Sequence, residues 1–189
     1  MTSSAGTPGE LTGGLAGIFG YPGESVAGAP PGRVRRIAVE NVAIHDTGVG
    51  VHAEESRVFL TDVDASNCGT GVSAGGVVAE SLTANGNGYG IELHRRLRGS
   101  NITLNNNAIG INGIDGASVR AIGLNATGNT EWGIAVFSSI RLEDSDVRGN
   151  GSFDLGATRR PRLVNSLCDR SLDLRGPSFG GNWGVCALD

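Results

Sequence analysis

The sequence predicts an all-β fold in which short parallel strands wind into a solenoid of about seven to eight coils. The first observation is a phrase that recurs roughly every twenty residues: an Asn or Asp, then an apolar–Gly–apolar triplet. The second is the alternation of apolar and polar residues around each triplet, which is typical of half-buried strands. The third is composition, because 32 of the 189 residues are Gly and no Gly-X-Y period of collagen is present.

The triplets define the coils. They are clearest at 89–91 and 109–111, recur at 49–51, 70–72 and 132–134, and are looser at 153–155 and 172–174. About twenty residues accommodate one turn of three short strands, at roughly 3.3 Å per residue, but leave no room for a helix. A single coil cannot bury its own interior face, so neighbouring coils must supply the core.

Three segments follow from this pattern. Residues 1–32 are predicted to be a flexible lead with an imperfect first coil, in which 15–18 imitates 48–51 and 29–32 forms an inserted loop. Residues 33–175 form the regular solenoid. Residues 176–189 form a C-terminal cap.

Polar residues five positions before the last apolar residue of each triplet are predicted to mark a corner of the coil. Asn and Asp tolerate the left-handed backbone conformation and bond to nearby backbone, so stacked copies would form a side-chain ladder. The predicted members of this structural ladder are Asp46, Asn67, Asn106, Asn129, Asn150 and Asp169.

The Asn-x-x-x-Gly-Ile phrase resembles the repeat of right-handed parallel β-helix proteins, the pectin-lyase-like group, over residues 33–175. The closing stretch 182–186, paired with Cys168, also resembles the tail of secreted bacterial proteins of that type. The resemblance implies a right-handed winding and a polysaccharide partner, since many members are lyases, hydrolases, epimerases or surface proteins.

The cap contains the predicted disulfide. Cys168 and Cys186 enclose a loop rich in Gly, Pro and Ser, and a bridge between them would pin the tail over the strand edges of the last coil. Such a bridge is worth about 3 kcal/mol and favours an extracellular or cell-surface location. Cys68 is expected to be a small buried side chain rather than a reactive thiol.

Composition and motifs exclude several functions. The net charge is −4, which argues against nucleic acid as the main partner, and all 15 basic residues are Arg. No apolar run reaches membrane-spanning length. Neither a P-loop, a zinc motif nor an in-step dinucleotide fingerprint occurs, so we expect no cofactor and no metal.

A possible ligand track lies on the triplet strands. If the apolar residues point inward, the central glycines point outward and form a stripe without side chains. The outward column beside this stripe would contain His52, Ser73, Glu92, Asn112 and Ala135. Tight coil geometry is the alternative reason for glycine at these positions.

Candidate site residues are few. His52, Glu92 and His94 are the possible catalytic acid–base groups, with solvated surface residues as the alternative. Ser73, Asn112, Arg95, Arg96 and Trp183 are candidate ligand-binding residues, although Trp183 also suits packing in the cap.

Arginines after successive triplets form a ridge suited to an acidic polysaccharide, or else a face neutralised by nearby acids. This ridge comprises Arg57, Arg96, Arg98, Arg120, Arg141, Arg160 and Arg162.

The function expected from the sequence is that of a secreted, non-catalytic module that binds polysaccharide or has a structural role at the cell surface. One alternative is a polysaccharide lyase, epimerase or hydrolase acting through His52, Glu92 and His94 together with Arg95 or Arg96. Another alternative is end-to-end self-association through uncovered strand edges.

Overall fold

The computed structural model describes residues 9–14, 18–19, 36–175 and 180–189, in which there are thirteen β-strands and no helix. Within these ranges, therefore, no helix has the length and hydropathy needed to cross a membrane. In chain order the strands are β1 (Gly9–Gly14), β2 (Ile18–Phe19), β3 (Arg36–Thr47), β4 (Val49–Ser66), β5 (Thr70–Thr83), β6 (Tyr89–Thr103), β7 (Ile109–Gly113), β8 (Ser118–Asn125), β9 (Trp132–Val136), β10 (Ile140–Glu143), β11 (Phe153–Ala157), β12 (Arg162–Val164) and β13 (Ser171–Asp173).

The strands form a parallel β-solenoid of about six turns, which confirms the predicted fold class with fewer coils than expected. Each strand pairs in parallel with its copy in the next coil. At the N-terminal end β1 pairs with β3, and β2 pairs with β4 so that Ile18 lies opposite Val51. The remainder of the predicted lead and first coil, including 15–17 and the inserted loop 29–32, lies outside the described residues.

Each coil presents three faces. Face A contains the triplet strands 49–53, 70–74, 89–93, 109–113, 132–136 and 153–157. Face B contains 36–40, 57–61, 76–80, 96–100, 118–122, 140–143 and 162–164. Face C contains 42–45, 63–66, 82–83, 102–103 and 124–125.

The core is a set of buried apolar columns along the solenoid axis. On face A the fully buried column is Val51, Val72, Ile91, Ile111, Ile134 and Leu155. On face B a second buried column is Val58, Val77, Leu97, Val119 and Ile140. Because every column draws one residue from each coil, stability depends on contacts between neighbouring coils.

The corner before face A contains a hydrogen-bonded asparagine ladder. Each backbone N–H donates to the side-chain oxygen in the next coil: Cys68 to Asn87 at 2.6 Å, Asn87 to Asn107 at 2.8 Å and Asn107 to Asn129 at 2.9 Å. Asn129 then donates to Asn150 at 3.0 Å. These four asparagines are buried, so they satisfy backbone groups that water cannot reach.

The predicted ladder overlaps the observed one at Asn129 and Asn150. Asp46, Asn67 and Asn106 instead lie one residue before the ladder column, where each adopts a positive φ of 56–58°. These three provide the left-handed turn, and the residue that follows each provides the column position. Asp169 lies at the last corner, where its carboxylate accepts the N–H of Gly149 at 3.2 Å.

A second left-handed corner separates face B from face C. It recurs with the same period of roughly twenty residues. Non-glycine members at positive φ are Asn41, Asp62, Ser81, Asn101, Asp144 and Asn165, with Gly123 in the remaining coil. The regular spacing of these small polar residues in the sequence is the signal that marks this corner.

The prediction that the triplet glycines form an outward stripe is wrong. Gly50, Gly71 and Gly90 are buried. A Cβ on Gly50 would lie 2.6 Å from the carbonyl oxygen of Gly71 and 3.1 Å from the Cβ of Ala65 in the interior. Each of these glycines is followed by a buried apolar residue, so strict alternation fails there, and the close approach between coils requires glycine.

The last coil is built differently from the prediction. Leu155 lies opposite Ser171, not opposite Leu174. In this coil Asp154 occupies the triplet's glycine position. Its buried carboxylate accepts the backbone N–H groups of Asn150, Asp169 and Arg170 at 2.6–3.1 Å. Asp154 therefore stands at the end of the asparagine ladder and bonds to the backbone of the shorter coil that follows.

The predicted disulfide between Cys168 and Cys186 is present. Trp183 donates its indole N–H to the carbonyl of Ala157 at 3.2 Å, and the Arg175 guanidinium lies 4.6 Å from its ring centroid. Cys68 is a buried free thiol, as the sequence predicted.

Candidate functional site

The outward column of face A has the register that the sequence predicted. His52 lies opposite Ser73, Ser73 opposite Glu92, Glu92 opposite Asn112, and Asn112 opposite Ala135. Ser73 is almost fully buried between its neighbours, and its hydroxyl donates to Glu92 Oε2 at 3.3 Å. This contact uses part of the hydrogen-bonding capacity that a ligand would need.

The candidate acid–base groups have separate neighbours. His52 Nδ1 lies 4.0 Å from Glu54 Oε1, whereas His94 Nδ1 lies 3.8 Å from Asp115 Oδ2. His52 and Glu92 are two coils apart, which is about 10 Å. This separation is slightly greater than the roughly 6.5–9.5 Å between the two carboxyl groups of an inverting glycosidase.

An aromatic column lies at the edge of face A. Tyr89, Ile109, Trp132 and Phe153 are in register, and the rings of Trp132 and Phe153 have centroids 5.1 Å apart. Leu172, the first residue of the looser triplet 172–174, lies outside this column and pairs with Gly156. Packing between coils accounts for these rings, because stacked aromatics stabilise each other.

Trp183 lies in the cap rather than on face A. Besides its contacts with Ala157 and Arg175, its backbone N–H donates to Ser171 Oγ at 3.0 Å. These contacts give the side chain a packing role at the end of the solenoid.

The predicted arginine ridge resolves into two columns on face B. Arg98, Arg120, Arg141 and Arg162 are in register on four successive coils and form what we call the arginine ladder. Arg57 and Arg96 belong to the neighbouring column, on either side of Gly76. Arg95 lies at the corner just before Arg96, and Arg160 lies at the corner before Arg162. Adjacent members of the ladder are about 4.8 Å apart along the axis.

The arginine ladder forms no ion pairs with the acids among the described residues. Within the part of the chain that the structure describes, none of its four side chains forms an ion pair or a hydrogen bond, and all four are exposed. Face B also contains acids: Glu143 lies two residues after Arg141, and Glu40 and Glu80 lie on β3 and β5. Among the described residues, the arginines that form ion pairs lie outside face B and pair with an aspartate two residues earlier in the sequence. Arg148 lies 2.7 Å from Asp146, and Arg175 lies 2.5 Å from Asp173.

Those local pairs affect acidity at their own positions. The side-chain hydrogen bond from Arg148 lowers the pKa of Asp146, and the corresponding bond from Arg175 lowers the pKa of Asp173. Asp189 is held in the cap by hydrogen bonds. Burial raises its pKa, but hydrogen bonds from Ser171, Cys186 and Val185 together lower the pKa below its ordinary value. These carboxylates are structural.

The ladder could have been located from sequence by counting along each face B strand. Arg98, Arg120 and Arg141 each follow the buried apolar residue of their strand, so strict alternation turns each one outward. The period alone did not separate this column from that of Arg57 and Arg96. Among the described residues, no cluster of three or more His, Cys, Asp or Glu side chains has a geometry that would hold a metal ion.

Comparison of the chain with protein-family models, with curated proteins and with solved structures finds no match in any of the three.

Proposed function

We propose that the protein is a secreted, non-catalytic β-solenoid module that binds polysaccharide at the cell surface, and that the polysaccharide is acidic. The observation that carries this proposal is the arginine ladder, with four exposed guanidinium groups in register and no acidic partner among the described residues. The resemblance to right-handed, pectin-lyase-like solenoids points to the same class of ligand.

Guanidinium chemistry supports an anionic ligand. Each Arg offers a planar fork of N–H donors that matches a carboxylate or a tetrahedral oxyanion bidentately. The ladder extends over about 14 Å in steps of about 4.8 Å, a spacing of the same order as the repeat of an extended glycan. The parallel strands fix the backbones of these residues, so binding has to order only the side chains and the ligand.

The disulfide supports the proposed location. A disulfide pins the cap, and such bridges persist in oxidising compartments. An enzymatic role has less support, because His52 and Glu92 lie on face A, whereas His94 lies at the following corner, and the two histidines have separate acidic neighbours.

Isothermal titration calorimetry with four polymers tests the proposal: a polyuronate, a sulfated glycan, a neutral glucan and single-stranded DNA. We expect the anionic glycans to bind and the neutral glucan not to bind. Raising ionic strength should weaken binding, because exposed charges are screened over about 10 Å at 0.1 M salt.

Two results would contradict the proposal. One is an equal affinity for the neutral glucan, which would place recognition on uncharged groups. The other is binding of DNA but of neither anionic glycan, which would make phosphate the recognised group.

A further inference from the structure

Face B contains a small cationic cavity at one end of the arginine ladder. Its volume is about 140 Å³, and its charged lining comprises Arg57, Arg95, Arg96 and Arg98, with Gly76 between them. We call this cavity the arginine notch. In the two coils that precede Arg98, the ladder column contains Val78 and then Phe59. The line of cationic groups therefore ends at Arg98.

The notch arises from a difference in coil length. Between faces A and B, β4 has three residues, Glu54, Glu55 and Ser56, whereas β5 passes from Ala74 to Gly76 through Gly75 alone. The next strand, β6, again has more residues at this corner, His94 and Arg95. The short coil is therefore recessed between two longer ones.

Gly76 keeps the recess open although the backbone does not require glycine there. A Cβ at Gly76 would lie 3.5 Å from the carbonyl oxygen of Arg96 and 3.8 Å from the Cγ of Arg57, which are ordinary contacts. At Gly75, in contrast, a Cβ would collide with the carbonyl oxygen of Glu54. The missing side chain at Gly76 thus leaves space between two arginines that the fold could have filled.

The charges of the notch are unpaired within the described residues. Arg57, Arg95, Arg96 and Arg98 form no ion pair or hydrogen bond there, and Glu54 and Glu55 at the adjoining corner do not line the cavity. The hydroxyl-bearing Ser56 is buried at the wall. Four converging arginines around a space of this size suit one oxyanion held by charge-assisted hydrogen bonds.

We propose that the arginine notch binds a single anionic group of a sugar, a carboxylate or a sulfate ester, at the end of the acidic glycan or on a branch. This inference rests on the proposed function for the identity of the polymer, but the notch itself requires only the oxyanion. A ligand seated there would continue along the arginine ladder toward Arg162.

Amide NMR titrations of the whole chain in chloride buffer test the inference, with inorganic sulfate, a monomeric uronic acid and a neutral hexose as probes. We expect saturable 1:1 shifts at Gly76 and Arg96 with one or both anions and none with the hexose. The anion that binds more tightly identifies the recognised group. Gly76→Val fills the notch without removing charge and suits a strand, so it should weaken anion binding about tenfold or more.

Arg148→Gln is the matched control, because it removes an exposed positive charge that belongs neither to the notch nor to the ladder. It should leave binding of the small anion and of the polymer unchanged. Absence of saturable small-anion binding, or equal binding by wild type and Gly76→Val, overturns the inference. If the glycan binds but the small anions do not, only the notch is wrong. If the small anions bind but no glycan does, the notch stands and the proposed function fails.

Discussion

At the scale of single residues, the glycines of this chain have two different roles. The triplet glycines are buried against the carbonyl of the next coil, so their absence of a side chain is a condition of stacking. Gly76 faces an open recess and has no such constraint. A sequence pattern alone cannot separate the two, since both are small residues on apparently regular strands.

Substitution by alanine should separate these roles. Gly90→Ala would bring a Cβ to 2.6 Å from the carbonyl oxygen of Gly110 and 3.1 Å from Asn107 Nδ2. We expect it to lower the free energy of unfolding by about 1–3 kcal/mol, because the backbone of the next coil must shift. Gly76→Ala should change the free energy of unfolding by less than about 0.5 kcal/mol. Urea denaturation measures both, and equal effects would contradict the distinction.

The prediction of outward triplet glycines failed because the alternation of buried and exposed residues is interrupted at each glycine, where two successive residues are buried. The neighbouring column of His52, Ser73, Glu92 and Asn112 was predicted with the right register, since the alternation is regular after the glycine. Sequence therefore predicts side-chain direction where the alternation is regular. It does not do so where the alternation is interrupted.

At the scale of structural elements, the corner and the cap show where a repeat period stops being informative. Residues 105–107 are all asparagine, so the period permits each of them to be the ladder residue. Burial decides for Asn107, which is almost fully buried, while Asn106 provides the positive φ. Asp154 occupies the glycine position of a looser triplet, but its carboxylate accepts backbone N–H groups of the last coil.

The cap contains carboxylates whose charged form the fold stabilises. Asp189 accepts N–H groups of Ser171 at 2.6 Å and Val185 at 2.8 Å, and Asp173 accepts hydrogen bonds from Arg175. Both pKa values are lowered from the ordinary value of 3.8. The folded state thus holds protons less tightly than the unfolded state, so its stability is lost as pH falls from about 3.8 through the folded pKa.

Thermal unfolding followed by circular dichroism between pH 7 and pH 3 should show this loss. Asp189→Asn should lower the Tm at neutral pH and flatten the decline below about pH 4. Asp144→Asn is the control, since Asp144 is exposed at a left-handed corner where Asn is equally tolerated. A pH profile of Asp189→Asn that parallels the wild type would show that this carboxylate does not fasten the cap.

At the scale of the whole molecule, the distribution of charged side chains bears on ligand binding more than the net charge does. The net charge of −4 argued against nucleic acid as the main partner. The solenoid nevertheless gathers four arginines of distant sequence positions into one column, and one of them, Arg98, lines the notch together with three further arginines. The parallel solenoid and its period were predictable from sequence. The unpaired state of these arginines was not, because it depends on where each nearby acid points.

The most direct test of the central claim is the affinity of an acidic polysaccharide for the double variant Arg120→Gln/Arg141→Gln, compared with Arg148→Gln and wild type. Arg148 is exposed and paired with Asp146 away from face B, so it controls for the loss of charge alone. We predict a Kd about tenfold or more weaker for the double variant, with Arg148→Gln close to wild type. Equal affinity of all three proteins would contradict binding along the arginine ladder.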